Sequence, residues 1–295
     1  MRSTLLGATA VAVCLTTAGV LAQKQLSLVA TITDPNGGEV TAIDPKDVRV
    51  LENDVAATVL KVEALQRVPK LQVLVDNGSG MPSESIGDLR NGLRGLLEAV
   101  PEGVEVTVVT TAPQPRFLVR PTADRKAVLD SVNRLAPDTG AGRFVESLAE
   151  ATQRIERDKQ DATYTIVTVG TSSGDANVRE RDVNQTLERL QKFRPVVHVV
   201  MLTQVGRSAT GGVIQAELGQ AAAQATGGRY ENLAVPNRIA TLLPEIGAQI
   251  GKTLGPGARQ FRITVDRPGG AAGDLGKVSL GVAGKVVNNV MLESR

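Results

Sequence analysis

The stretch Leu71-Gln-Val-Leu-Val-Asp-Asn-Gly-Ser-Gly-Met81 constrains the fold more than any other, because an apolar run ends abruptly in a carboxylate and a loop of small residues. Leu71, Val73, Leu74 and Val75 leave no polar face, the pattern of a strand covered by helices on both sides of a parallel sheet. Burying each such side chain contributes roughly 1.5–3 kcal/mol, so this strand belongs deep in the fold. Asp76 falls at its carboxyl end, where open doubly wound sheets place their ligand crevice.

The chain on either side of this strand changes period. Residues 26–65 alternate as strands, with a turn at Asp34-Pro-Asn-Gly-Gly38. After Met81, Ile86, Leu89, Leu93, Leu96, Leu97 and Val100 share one helical face that Pro101-Glu-Gly103 ends. Val104 to Thr111 and Arg116 to Val119 read as a hairpin with an edge strand, and the next helix is expected to start at Thr122, whose hydroxyl would cap it. Helices then alternate with strands at Thr163 to Val169, Pro195 to Leu202 and near Tyr230, through a last helix carrying Ile239 to Ile250. That alternation implies an α/β class, a doubly wound, mainly parallel sheet of Rossmann-like form. From Arg259 onward the chain returns to strands, so N- and C-terminal β segments flank the α/β domain.

The expected segments are a leader over 1–22, a β segment over 23–67, the α/β domain over 68–254 and a β segment over 255–295. Arg2, the apolar run Leu5 to Val20 and the small residues before Gln23 form a secretory signal pattern with cleavage after Ala22. The alternative is an uncleaved membrane anchor, for which the run is short and rich in Ala and Thr. A secreted or periplasmic location follows, with no membrane association after cleavage. Each β segment is near the lower size at which a domain folds unaided. The two are expected to pair into one β unit; the competing arrangement docks each separately on the α/β domain.

Composition excludes several chemistries. The single cysteine, Cys14, lies in the leader, so the mature chain has neither a thiolate nor a disulfide. With 2% aromatic residues, no Trp and no basic block, no nucleic-acid partner is expected. The one histidine, His198, lies inside the apolar run Val196 to Val200 and reads as a core residue. Ser79 lacks the Gly-x-Ser-x-Gly frame of a nucleophile elbow, since Asn77 holds the first glycine position. No catalytic residue is assigned.

Taken in order, the strand with Asp76-x-small-x-small-Met81, the Gly140 to Leu148 loop and helix, and Ala222-Ala-Gln-Ala-Thr-Gly-Gly-Arg-Tyr230 resemble a von Willebrand factor type A domain. Ile32 to Gly38 and Asp47 to Glu52 look like the strand segment that precedes this domain in secreted bacterial proteins of its VWFA-related branch. The resemblance implies a metal-ion-dependent adhesion site built from Asp-x-Ser-x-Ser, a Thr and a further Asp, since Mg²⁺ or Mn²⁺ needs oxygen ligands at fixed positions. Here Asp76 matches the first carboxylate, whereas Gly78, Gly80, Gly142 and Thr171 occupy the other four positions. The resemblance thus implies a vestigial site with no metal and no cofactor.

The expected function is a non-enzymatic adhesion or interaction module that binds an unidentified protein through loops at the strand ends. Its candidate contacts are Asp76, Ser79, Arg143, Thr171, Ser172 and Asp175. Two alternatives stay open. Asp76 is also read as a turn residue bonded to its own loop, and Gly78-Ser-Gly80 as a phosphate cradle of a small-molecule or phosphate-binding enzyme on the same fold.

Overall fold

The computed structural model describes residues 11–13, 25–173, 178–203, 210–255, 257–270 and 275–293. They fall into two compact units, one drawn from 1–67 and 252–295 and the other from 68–251. The leading part supplies β1 (Val11–Val13), β2 (Gln25–Thr33), β3 (Val48–Glu52), β4 (Val55–Ala56) and β5 (Thr58–Leu65). The expected cleavage point after Ala22 lies outside the described residues.

The middle of the chain alternates as β6 (Val68–Val75), α1 (Ile86–Ala99), β7 (Glu105–Thr110), β8 (Arg116–Thr122), α2 (Arg125–Asn133), α3 (Phe144–Arg157) and β9 (Ala162–Thr171). It continues with α4 (Glu180–Phe193), β10 (Val196–Leu202), α5 (Thr210–Thr226), β11 (Tyr230–Leu233) and α6 (Ile239–Leu254). The six strands form one sheet in the order β11-β10-β9-β6-β7-β8, parallel except for the antiparallel edge strand β8. This is the α/β sheet expected from the alternation.

The apolar run occupies the centre of that sheet, with Leu71, Val73, Leu74 and Val75 all 0% exposed between β9 and β7. On one face Leu74, Ile166, Val197 and Val199 pack against Phe144, Leu148 and Ile155 of α3, Leu190 of α4 and Leu218 and Ala222 of α5. The chain leaves β6 toward β7 and later returns to pair β9 on its other side, which makes the carboxyl end of β6 the switch point of the sheet.

One expected helix start needs correction. Thr122 ends β8, and α2 begins at Arg125 under the cap of Asp124, whose carboxylate accepts from the Ala127 N–H at 3.0 Å. The Thr122 hydroxyl instead accepts from the Asp124 N–H at 3.1 Å, two residues too early to reach the helix's free N–H groups.

The trailing part supplies β12 (Ala258–Asp266), β13 (Val278–Val282) and β14 (Val286–Leu292). These interleave with the leading strands in two antiparallel sheets, ordered β14-β2-β12-β5 and β1-β13-β3-β4. Alternate residues Leu28, Ala30 and Ile32 of β2 meet Phe261, Ile263 and Val265 of β12, and Val48, Val50, Val278, Leu280 and Val282 of the other sheet complete the cluster. Buried within this unit, Glu52 pairs with both nitrogen arms of Arg267 and also accepts from the Gly276 N–H at 3.1 Å.

Candidate functional site

Three loops meet at the carboxyl end of β6. The strand ladder places them, since the Asp76 N–H donates to Val169 O of β9 at 2.8 Å and the Thr111 N–H after β7 donates to Val75 O at 3.0 Å. Asp76 therefore emerges between its two neighbouring strands, and it stays covered, 3% exposed. Its Oδ1 accepts from the Gly78 N–H at 2.8 Å, and its Oδ2 accepts from the Thr171 hydroxyl at 2.6 Å. Thr171 Oγ1 also lies 2.8 Å from Ser173 Oγ. Burial raises the Asp76 carboxyl above its ordinary pKa, while the Thr171 hydroxyl and the backbone N–H groups of Gly78 and Thr171 pull the other way.

The glycines at the matching ligand positions are packed against this carboxylate. A methyl group on Gly142 would stand 2.3–2.5 Å from the three carboxyl atoms of Asp76. One on Gly80 would stand 1.8 Å from Ser173 Oγ and 2.3 Å from Thr171 Oγ1, and one on Gly78 would stand 2.5 Å from Gly140 O. A serine or threonine at any of the three needs the loops to move apart. A divalent cation with the family's hydroxyl ligands does not fit this arrangement, because the backbone of the second loop and the Thr171 hydroxyl already lie against the carboxylate. Among the described residues no group of three or more His, Cys, Asp or Glu side chains converges as a metal set. The two buried oxygens of the loop cluster without a hydrogen-bond partner, Asn77 Oδ1 and Thr111 Oγ1, are neutral.

Backbone and side-chain bonds tie the loops together. The Ser79 N–H donates to Gly140 O at 2.8 Å, the Asp138 N–H to Asn77 O at 2.7 Å, and Asn77 Nδ2 to Ala136 O at 2.9 Å. Arg143 is held at the start of α3, its N–H on Thr111 O at 3.1 Å and its Nε on Pro113 O at 3.2 Å. Arg116 donates to Ala112 O at 3.1 Å and pairs with Asp138.

Of the expected contact residues, Ser79 is exposed and Arg143 and Ser172 are half-buried. Asp76 and Thr171 are 3% and 2% exposed, with the two Asp76 oxygens accepting from the Gly78 N–H and the Thr171 hydroxyl, so both lie beneath the surface of the loop cluster. Asp175 lies outside the described residues. Reasoning from sequence missed Ser173, Asp138 and Arg116; the Thr171-Ser-Ser173 run was the one signal for the first, and nothing local marks the other two.

The phosphate cradle loses its donors. The Gly78 N–H is taken by Asp76, that of Ser79 by Gly140 O and that of Met81 by Gly78 O at 2.9 Å. His198 sits far from any such role in the middle of β10, 2% exposed, with its Nδ1 accepting from the Arg229 N–H at 3.2 Å. Burial first, and then the charge of Arg229, lower its pKa to about 4.

Residues 71–173 match the sequence profile of the von Willebrand factor type A domain. Among solved structures, a von Willebrand factor type A protein from Catenulispora acidiphila superposes with a TM-score of 0.53 at 14% identity, over 91% of this chain and 73% of that one. The pilus adhesin SpaC from Lactobacillus rhamnosus GG, in an open conformation, superposes at 0.52 with 9% identity, over 84% of this chain and 49% of that one. At these identities the likeness is one of fold. No curated protein sequence matches the chain.

Proposed function

Starting from a chain that is a von Willebrand factor type A domain protein, we propose that it is a non-enzymatic interaction module which holds a protein partner on the loops at the carboxyl end of its central sheet. It works outside the cytoplasm, after removal of residues 1–22 and β1 with them, and its adhesion site is a degenerate one that functions without a metal. The observation that carries this reading is the closed loop cluster itself. Asp76 is consumed internally, so what the cluster offers outward is shape and scattered polar groups, with Ser79 exposed and Arg143 and Ser172 at its margin. Such a surface suits recognition, where well-packed loops on a rigid scaffold lower the ordering cost of binding.

The rival reading, a phosphate- or small-molecule-binding enzyme, needs free N–H donors or a general base beside a nucleophile. The engaged N–H groups of Gly78, Ser79 and Met81 speak against the first, and the burial of His198 in β10 against the second. In SpaC the same fold occurs in a pilus adhesin, which agrees with a role in adhesion.

A photo-crosslinker placed at Ser79 and, separately, at Lys159, exposed in the loop after α3 at the amino-terminal side of β9, tests the reading in the organism's extracytoplasmic fraction. One discrete protein adduct is expected from the Ser79 position and none from Lys159. Adducts of equal yield from both positions, or from Lys159 alone, place the interface elsewhere.

A further inference from the structure

We propose that Thr171 is a positioning residue whose hydroxyl replaces a cation, latching the loop after β6 directly to the loop after β9 so that the binding face holds one arrangement with no metal present. The inference rests on the reading of the loop face given above and adds to it how that face is kept in shape.

The loops 77–81, 136–143 and 171–173 come from separate parts of the chain and need a shared anchor at the strand ends. A divalent cation supplies such an anchor by drawing oxygen ligands from several loops to one point. Here Asp76 is that point. Its Oδ2 takes the Thr171 hydroxyl at 2.6 Å, its Oδ1 takes the Gly78 N–H at 2.8 Å, and Gly142 lies against its face closely enough to exclude even a methyl group. All three loops thus converge on one carboxylate. Thr171 Oγ1 is within 2.8 Å of Ser173 Oγ, so the latch extends two residues further along its own loop. Both ends of the latch are almost completely buried, where a hydrogen bond to a carboxylate is shielded from competing water.

The substitution of threonine for the expected third-loop carboxylate is what makes this possible. A second carboxylate at 171 would face Asp76 in a dry site and repel it unless a cation or proton lay between them. A hydroxyl donates instead. The glycines at 78, 80 and 142 follow the same logic, because the loops close to a distance that hydroxymethyl side chains at those positions would prevent.

Hydrogen exchange of the full-length protein tests the latch, read at the amides of 76–81 and 171–173 with and without millimolar Mg²⁺ or Mn²⁺. The wild type is expected to exchange identically in chelator and in either cation. Thr171→Val, which keeps the shape and loses the hydroxyl, is expected to speed exchange of these amides on the order of ten- to a hundredfold while leaving β10 and β11 unchanged. Thr171→Ser restores wild-type protection. Two outcomes overturn the proposal: loop protection in Thr171→Val within twofold of wild type, or cation-induced slowing in the wild type that disappears in Asp76→Asn. Should the valine variant fail to fold, the wild-type cation arm and the serine variant still distinguish a hydroxyl latch from a bound cation. No partner is needed, so failure here leaves the crosslinking test of the loop face standing, and failure there leaves the latch standing.

Discussion

Each of the two units buries a carboxylate, and the two are handled in opposite ways. Glu52 of the β unit faces the guanidinium of Arg267, with side-chain exposures of only 7% and 6%, and that hydrogen-bonded partner holds its pKa below the ordinary value. Asp76 of the α/β unit faces a hydroxyl and backbone N–H groups, all of them neutral, and burial raises its pKa. Charge is therefore an asset to the first unit, which uses it to cross-link strands, and a cost to the second, which tolerates it to gather loops. The first charge has a counter-ion within hydrogen-bond reach, whereas the second is met only by dipoles.

The largest expected effect comes from breaking the pair. Glu52→Gln leaves the Arg267 guanidinium buried without its counter-charge and should destabilise the β unit by about 3–5 kcal/mol, read as a lower urea midpoint for that unit. The pH dependence carries the matching sign. Because the folded pKa of Glu52 is depressed, its stabilisation is complete above the unfolded glutamate value and is lost as pH falls through the folded value. An acid titration in which the Glu52→Gln variant loses as much stability as the wild type over that window would separate the pair from acid unfolding.

A smaller effect is expected from crowding the other carboxylate. Gly142→Ala brings a methyl group to 2.3–2.5 Å from Asp76 and forces the second loop outward, at a cost of about 1–3 kcal/mol to the α/β unit. The same substitution in an Asp76→Ala background should cost markedly less, since the clashing group is gone. A double-mutant cycle closing with no coupling between the two positions would mean that they are not in contact.

The smallest effect distinguishes the two carboxylates most directly. Asp76→Asn keeps an acceptor for the Gly78 N–H and removes a charge that burial disfavours, but loses the oxygen that accepts from the Thr171 hydroxyl, so the stability of the α/β unit should change little at pH 7. With a raised folded pKa, the contribution of Asp76 is fully present below its unfolded value and is lost as pH rises through the folded value. The stability of the asparagine variant relative to wild type should accordingly fall as pH falls, the opposite of the trend at Glu52. Paired chemical-denaturation curves across pH would show it, and a relative stability that rises toward acid would mean that Asp76 is held ionised by its neighbours.

Much of the architecture is written locally. A strand with no polar face, as in Leu71 to Val75, has to be covered on both sides, and all four of its apolar residues are fully buried. The helical faces of Leu89, Leu93 and Leu96 or of Leu242, Leu243 and Ile246 are equally readable, because period alone decides which residues turn inward. The start of α2 was not readable in that way. Thr122 and Asp124 both suit a helix cap, and the choice between them depends on how far β8 runs beside β7.

At the loop cluster the sequence alone determined that Asp76 stands at the end of the central strand, which follows from residue identity and spacing, whereas the placing of glycines and Thr171 at ligand positions is what the resemblance to the type A domain implies. What became of the carboxylate was decided only in three dimensions, where a hydroxyl 95 residues away reaches it and Gly142 closes over it. The strand order β14-β2-β12-β5 and the pairing of Glu52 with Arg267 across 215 residues were likewise settled by packing. Local pattern sets which face of a strand is buried, but hydrogen-bonded edges and buried charges have no preferred partner until the chain brings one within reach.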